Sequence, residues 1–150
     1  MILFFLIPVN MIFGLLPPKS LLTKFHFSMY SKLSQAIQTG NLQLYEEVLA
    51  NYERVLINRN LYLTVISLKI LVQRSLLKSI LSVFGGAQIP FRVIHVGLNL
   101  QNQHLSDEEL CSLLSLLKYK GYLKGYVAYP QRVLVVSKNL PFPPVASLFK

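Results

Sequence analysis

Residues 106–138 read SDEELCSLLSLLKYKGYLKGYVAYPQRVLVVSK, and this stretch decides the fold. Ser106 and Glu109 have the S-x-x-E spacing of a capping box, in which a hydroxyl and a carboxylate each take a backbone N–H left unpaired at a helix start. Leu110, Leu113, Leu114 and Leu117 then recur at three- and four-residue steps, the spacing of one helix face. A glycine-rich turn follows. Two runs rich in Tyr and Val, residues 122–128 and 132–137, are joined through Tyr129-Pro130-Gln131 and predict a hairpin. A capped helix running directly into a two-stranded hairpin is the helix-and-wing half of a winged helix, a module that binds nucleic acid or another protein.

Upstream, the pattern is helical. Residues 2–15 predict a buried helix bent near Pro8 and ended by Gly14, ahead of Pro17-Pro18. A short helical turn is expected over 20–25 and a further helix over 30–38, stopped by Gly40. Asn41 is placed to cap a helix in which Leu42, Tyr45, Leu49, Tyr52 and Leu56 mark the inner face, with Glu46, Glu47, Glu53 and Arg54 opposite. Residues 61–84 carry no turn residue before Gly85-Gly86 and predict one long helix. Pro90 suits the first position of a helix running to about residue 101, and residues 99–104 form a polar loop. The PFPP run at 141–144 is expected to lie extended across the surface.

The fold class expected is therefore mainly α, a helical-repeat (TPR-like) stack followed by a winged helix with a C-terminal β-hairpin. Its parts are residues 1–84, the helical repeats; 85–140, the winged helix; and 141–150, a proline-rich tail. The apolar share of 53% in 150 residues favours a chain that buries surface against a partner, or part of a longer chain. Residues 1–18 are uncharged, but they lack the basic flank and cleavage site of a secretory signal. Pro8 and Asn10 also break the run well before the roughly 20 apolar residues of a membrane span.

Charge is uneven. Fifteen Lys and Arg oppose six acids, and the acids stand in two groups: Glu46, Glu47 and Glu53, then Asp107, Glu108 and Glu109. Residues 54–92 hold six cations and no acid, and residues 118–150 hold six more with none. Such a surplus suits polyanions or acidic partners. Catalytic signatures are missing: His26, His95 and His104 are scattered, no glycine-rich loop follows a strand, and no metal-ligand spacing occurs. Cys111, the single cysteine, sits beside the leucine stripe and reads as a buried thiol rather than a nucleophile.

The candidate functional residues are cations interleaved with tyrosines. Lys118, Lys120, Lys124, Arg132 and Lys138 form the expected phosphate-facing set, with Tyr122, Tyr126 and Tyr129 among them. The same tyrosines equally suit packing on the leucine helix, with the cations a solvated rim. The outward line of the helix, Glu108, Ser112, Ser115 and Tyr119, is short of cations. Its first turn is acidic, so this helix is a poor major-groove reader. Arg74 and Lys78, four apart, make a second basic face, and with Tyr126 and Tyr129 they form the expected partner-binding set.

Helical pairs, a long connecting helix and a terminal winged helix together resemble PCI domains, found in the proteasome lid, the signalosome, translation initiation factor three and an mRNA-export complex. Four stretches resemble the PCI domain-containing protein 2 family in particular: LIPVNMIFG at 6–14, Gly40-Asn41-Leu42, LKILVQRSLLK at 68–78, and KGYLKGYV at 120–127 followed by LVVSKNLPFPP at 134–144. The last is the most specific, because its glycines, wing strands and PFPP tail come in the family's order. The resemblance covers the C-terminal part of the family. The long helix departs from it in being more aliphatic and lacking an acid just before Leu68.

The resemblance implies a scaffold in the nuclear-pore-associated transcription-export complex 2, located in the nucleus with the cytoplasm as a second compartment. Implied partners are a large PCI-containing export scaffold subunit, a small acidic Sem-type peptide, and RNA or DNA bound without sequence specificity. No membrane, cofactor or metal is implied. A PCI subunit of the proteasome lid or signalosome with a purely protein-binding role is the alternative.

Overall fold

A computed structural model describes residues 2–149, and the chain divides into two compact units, one up to residue 75 and one over residues 76–148. The protein is mainly helical, with one three-stranded antiparallel sheet.

The first unit contains α1 (Ile2–Ile12), α2 (Lys19–Lys24), α3 (Ser28–Thr39), α4 (Leu42–Asn58), α5 (Tyr62–Ile66) and the start of α6 (Lys69–Phe84). Gly40 adopts the left-handed conformation with φ 73° that closes α3, and the Asn41 side chain accepts from Leu44 N at 3.0 Å to open α4. Helices α3 and α4 then pack on each other and bury Tyr30, Leu33, Ala36, Leu42, Tyr45 and Val48.

Two expectations for this unit need correction. Helix α1 is not buried throughout: Ile7, Pro8 and Met11 are inside, whereas Ile2 is 82% exposed and Phe5, Leu6 and Val9 are also exposed. Only one stripe of this helix, apolar except for Asn10, meets the core. The helix runs through Pro8, which has no N–H for the Phe4 carbonyl one turn back; the Tyr30 hydroxyl donates to that carbonyl instead. Residues 61–84 do not form one long helix either. Helix α5 ends at Ile66 and α6 starts at Lys69. The Tyr45 hydroxyl donates to the carbonyls of Val65 (3.0 Å) and Ile66 (3.3 Å), the acceptors a continuous helix would have used. Ser67 Oγ donates to Thr64 O at 2.6 Å and completes the break.

The second unit contains the rest of α6, then β1 (Gln88–Pro90), α7 (Phe91–Leu100), α8 (Asp107–Tyr119), β2 (Gly125–Ala128), β3 (Val133–Val136) and a 3-10 turn (Val145–Phe149). The strand order is β1-β3-β2. Ile89 pairs with Leu134 and Tyr126 with Val135. Ile89, Leu134 and Val136 are buried with Phe91, Ile94 and Leu98 of α7 and Leu110, Leu114 and Leu117 of α8. The capping box at Ser106 and Glu109 is present with both bonds made.

Pro90 does not begin a helix as expected. It ends β1 and is the N-cap of α7, with φ −62° and ψ 144°. Its fixed φ suits an edge strand, where a missing N–H is tolerated. The PFPP run does not lie across the surface: Phe142 is 5% exposed and Pro143 is buried. Pro141 O accepts from Lys124 N at 2.8 Å, so the run is fastened beside the hairpin and its ring goes inward. Among the described residues, no helix is long and apolar enough to cross a membrane.

Candidate nucleic-acid interface on the terminal hairpin

The hairpin can form because Gly125 lets β2 approach β3 closely. A Cβ there would lie 2.1 Å from Val135 O and 2.9 Å from Val136 Cα. At the other end of the hairpin, Arg132 takes a positive φ of 52° and its N–H donates to Tyr129 O at 2.9 Å. Arg132 O accepts from Phe91 N at 2.9 Å, which fixes the turn to the start of α7.

Acids surround the turn end. Asp107 places Oδ1 2.7 Å from His95 Nε2 and Oδ2 3.3 Å from Arg132 Nη1, so one carboxylate joins α7, α8 and the turn. Tyr129 donates its hydroxyl to Glu108 Oε1 at 3.2 Å. The Glu108 carboxyl is held below its ordinary pKa, first by a backbone hydrogen bond and then by this phenol. The same bond raises the Tyr129 phenol. Cys111, half-buried, has its thiol pushed up by burial and then by Asp107 and Glu108, the reverse of an activated nucleophile.

The open end of the hairpin is different. Ser137 N donates to Lys124 O at 2.9 Å, so Lys124 and Ser137 face each other one step beyond the Gly125–Val136 pair, with Lys138 next along the chain. Tyr122 N donates to Leu117 O at 3.0 Å, bringing the exit of α8 into the same region. Lys118, Lys120, Lys124 and Lys138 are all exposed. Tyr126, 56% exposed, lies on the outer face of the sheet, and Tyr119 is exposed at the end of α8, while Tyr122 is buried.

The expected five-cation set is therefore divided. Four lysines gather at the open end, and Arg132 stands with Tyr129 at the turn, both engaged by carboxylates. Arg74 and Lys78 lie one turn apart on α6, the first half-buried and the second exposed. Sequence reasoning missed the pairing of His95 with Asp107, because a twelve-residue separation across a loop has no recognisable spacing. The division of the cations was readable in principle: counting outward from Tyr129-Pro130-Gln131 puts Lys124 and Lys138 together and leaves Arg132 at the turn. Among the described residues, no three His, Cys, Asp or Glu side chains cluster to hold a metal.

No family model matches the chain. Its relatives are nonetheless clear, and the chain belongs to the PCI-domain family. It is 32% identical over 149 residues to PCI domain-containing protein 2 of Danio rerio, covering 99% of this chain and 37% of that protein. It is 36% identical over 151 residues to the Drosophila melanogaster homolog of the same name, covering 97% of this chain and 37% of the relative. It is also 35% identical over 132 residues to COP9 signalosome complex subunit 12 of Kluyveromyces lactis, covering 79% of this chain and 31% of that protein. The chain thus spans about a third of the length of the curated relatives it matches.

Proposed function

We propose that this protein is a non-catalytic scaffold of the nuclear transcription-export complex 2, acting at the nuclear pore in mRNA export. In this reading the first unit is a TPR-like stack that docks a large PCI-containing subunit and a small acidic Sem-type peptide. The second unit is a winged helix that contacts RNA or DNA without reading sequence. The observation that carries the nucleic-acid part is the gathering of Lys118, Lys120, Lys124 and Lys138 at the open end of the hairpin, within a stretch from 118 to 150 that has no acid. Lysines reach phosphates as point charges, and Tyr126 beside them offers a face for a base to stack on. Contacts of this kind are sensitive to salt and indifferent to base identity.

The test is charge reversal. Lys124→Glu with Lys138→Glu, in the full chain, is expected to abolish binding to single-stranded RNA at low salt while the fold persists by circular dichroism. Unchanged affinity removes the hairpin from the mechanism.

A second reading, a protein-binding subunit of a signalosome, is favoured by the relatives named COP9 signalosome complex subunit 12, at 35% and 34% identity. Co-purification separates the two readings: an export scaffold in one case, signalosome subunits in the other.

A further inference from the structure

We infer that the acidic first turn of α8 restricts nucleic acid to the lysine end of the hairpin, with Asp107, reinforced by Glu108 and Glu109 beside it, withholding Arg132 from phosphate. The inference rests on the nucleic-acid reading above and deepens it.

The geometry is asymmetric. Asp107 is 22% exposed and held by His95 Nε2 at 2.7 Å, so its carboxylate stays in place. Arg132 is 69% exposed at the side chain, but its backbone is fixed by the bonds to Tyr129 and Phe91. Its guanidinium is thus rooted beside the carboxylate. An exposed pair of this kind is weak and does not by itself keep Arg132 from a phosphate. The neighbours decide the matter. A phosphate drawn to Arg132 would sit beside Asp107, Glu108 and Glu109, all in one helical turn. That turn would otherwise attract anions through its N–H groups and dipole.

Distance confines the effect. Tyr129 and Lys124 are five residues apart along β2 and its flank, about 17 Å at roughly 3.4 Å per residue. Screening at physiological salt has a length of about 8 Å, so repulsion felt at the turn has faded at the lysines. The hairpin has one neutralised end and one cationic end, and a strand of nucleic acid is held at the second.

The experiment is a mutant cycle on the full chain, read by fluorescence anisotropy of a labelled oligouridylate across a salt series. Asp107→Asn is expected to bind about threefold tighter, the scale of one exposed ion pair released, and to steepen the salt slope by about one. Arg132→Gln alone is expected to change neither, and in the Asp107→Asn background it should return both to the parent values. A structural role for Asp107 would instead weaken binding and lower the melting temperature together. Should Asp107→Asn lose its fold, Glu108→Gln carries the test, since Glu108 is exposed and makes no bond to His95; it too must bind more tightly. An unchanged slope in the variant tested, or weaker binding by Arg132→Gln alone, overturns the inference. Lys124→Glu with Lys138→Glu separates the two failures. If that variant binds like the parent, the nucleic-acid reading fails and the inference with it; if it loses binding, the reading stands and the cycle alone judges Asp107.

Discussion

Tyr45 on α4 and Val65 on α5 stand 20 residues apart in sequence, and the phenol of the first holds the carbonyl of the second at 3.0 Å. The same hydroxyl reaches Ile66 O at 3.3 Å. Tyr30 plays the matching part for Phe4, whose carbonyl faces the missing N–H of Pro8. At Phe4 the buried tyrosine supplies a donor that Pro8 lacks; at Val65, whose carbonyl already accepts from Leu68 N at 3.0 Å, it supplies a second one. A carbonyl like that of Phe4 is costly to leave bare.

Replacing Tyr45 by Phe keeps the ring in its site and removes only the donor. The expected cost is about 0.5–1.5 kcal/mol, the net worth of a hydrogen bond, because Val65 O keeps its bond from Leu68 N. Urea unfolding measures it, with an unchanged m value showing that the compactness of the end states is preserved. A neutral result would mean that the break between α5 and α6 does not depend on this bond.

Alkaline pH gives a second view of the same phenol. Burial, then the charges of Glu46 and Tyr62, raise the Tyr45 pKa well above its ordinary value. Tyr30 is raised too, by burial, with Arg59 opposing. In the unfolded chain a phenol deprotonates near pH 10, whereas in the folded chain Tyr45 keeps its proton. The stabilisation is therefore complete below about pH 10 and declines as pH rises above it. The stability difference between the parent and Tyr45→Phe should be constant from neutral pH to about 9 and shrink beyond 10. A difference that stays constant through pH 11 would contradict this account.

Gly125 sets the hairpin. Alanine there would place its Cβ 2.1 Å from a backbone oxygen of β3, an obstacle that no side-chain rotation relieves. Gly125→Ala should separate β2 from β3 and cost about 3 kcal/mol or more, at or above the upper range for overpacking. Gly85→Ala is the control: Gly85 also has a positive φ, 78°, but its Cβ would meet nothing within 4 Å. Its cost should stay near 1–2 kcal/mol, the left-handed penalty alone. Amide exchange at Ser137, whose N–H donates to Lys124 O across the hairpin, compared with Val136, whose N–H donates to Ala87 O, distinguishes loss of β2–β3 pairing from general destabilisation.

What the sequence made legible follows from the range of each interaction. Asn41, Gly40 and the box of Ser106 with Glu109 act within four residues, and all three are found as read. The leucine stripe of α8 and the hairpin beside it were visible for the same reason. Strand β1 was not, because three residues are too few to show alternation and Pro90 is equally at home opening a helix. The break after Ile66 was hidden because its cause is a tyrosine on another helix. The tail was misread by composition: PFPP predicts an extended chain, and only the pairing of Lys124 N with Pro141 O reveals that Phe142 turns inward. At the candidate interface the residue types were legible, and so was the separation of Arg132 from Lys124 and Lys138, but the ion pairs were not, since Asp107 binds His95 and Arg132 from either side of it in sequence.

Gly97 on α7 tests how tightly the second unit is packed. A Cβ at this position would lie 2.5 Å from Ile80 Cδ1 and 2.9 Å from Cγ1, both on α6. Rotating the end of the isoleucine moves only the first of these, so relief requires a change at χ1, which a β-branched residue in a helix resists. Alanine gains about 1 kcal/mol over glycine from helix propensity, against about 1–3 kcal/mol for overpacking. Gly97→Ala is therefore expected to be destabilising on balance, by about 1 kcal/mol. In an Ile80→Ala background the obstruction is gone and only the helix term remains, so the same substitution should become stabilising. A change of sign between the two backgrounds, read from chemical unfolding of the four proteins, is the expected outcome. If Gly97→Ala destabilises both backgrounds equally, contact with Ile80 is not what requires glycine at this position.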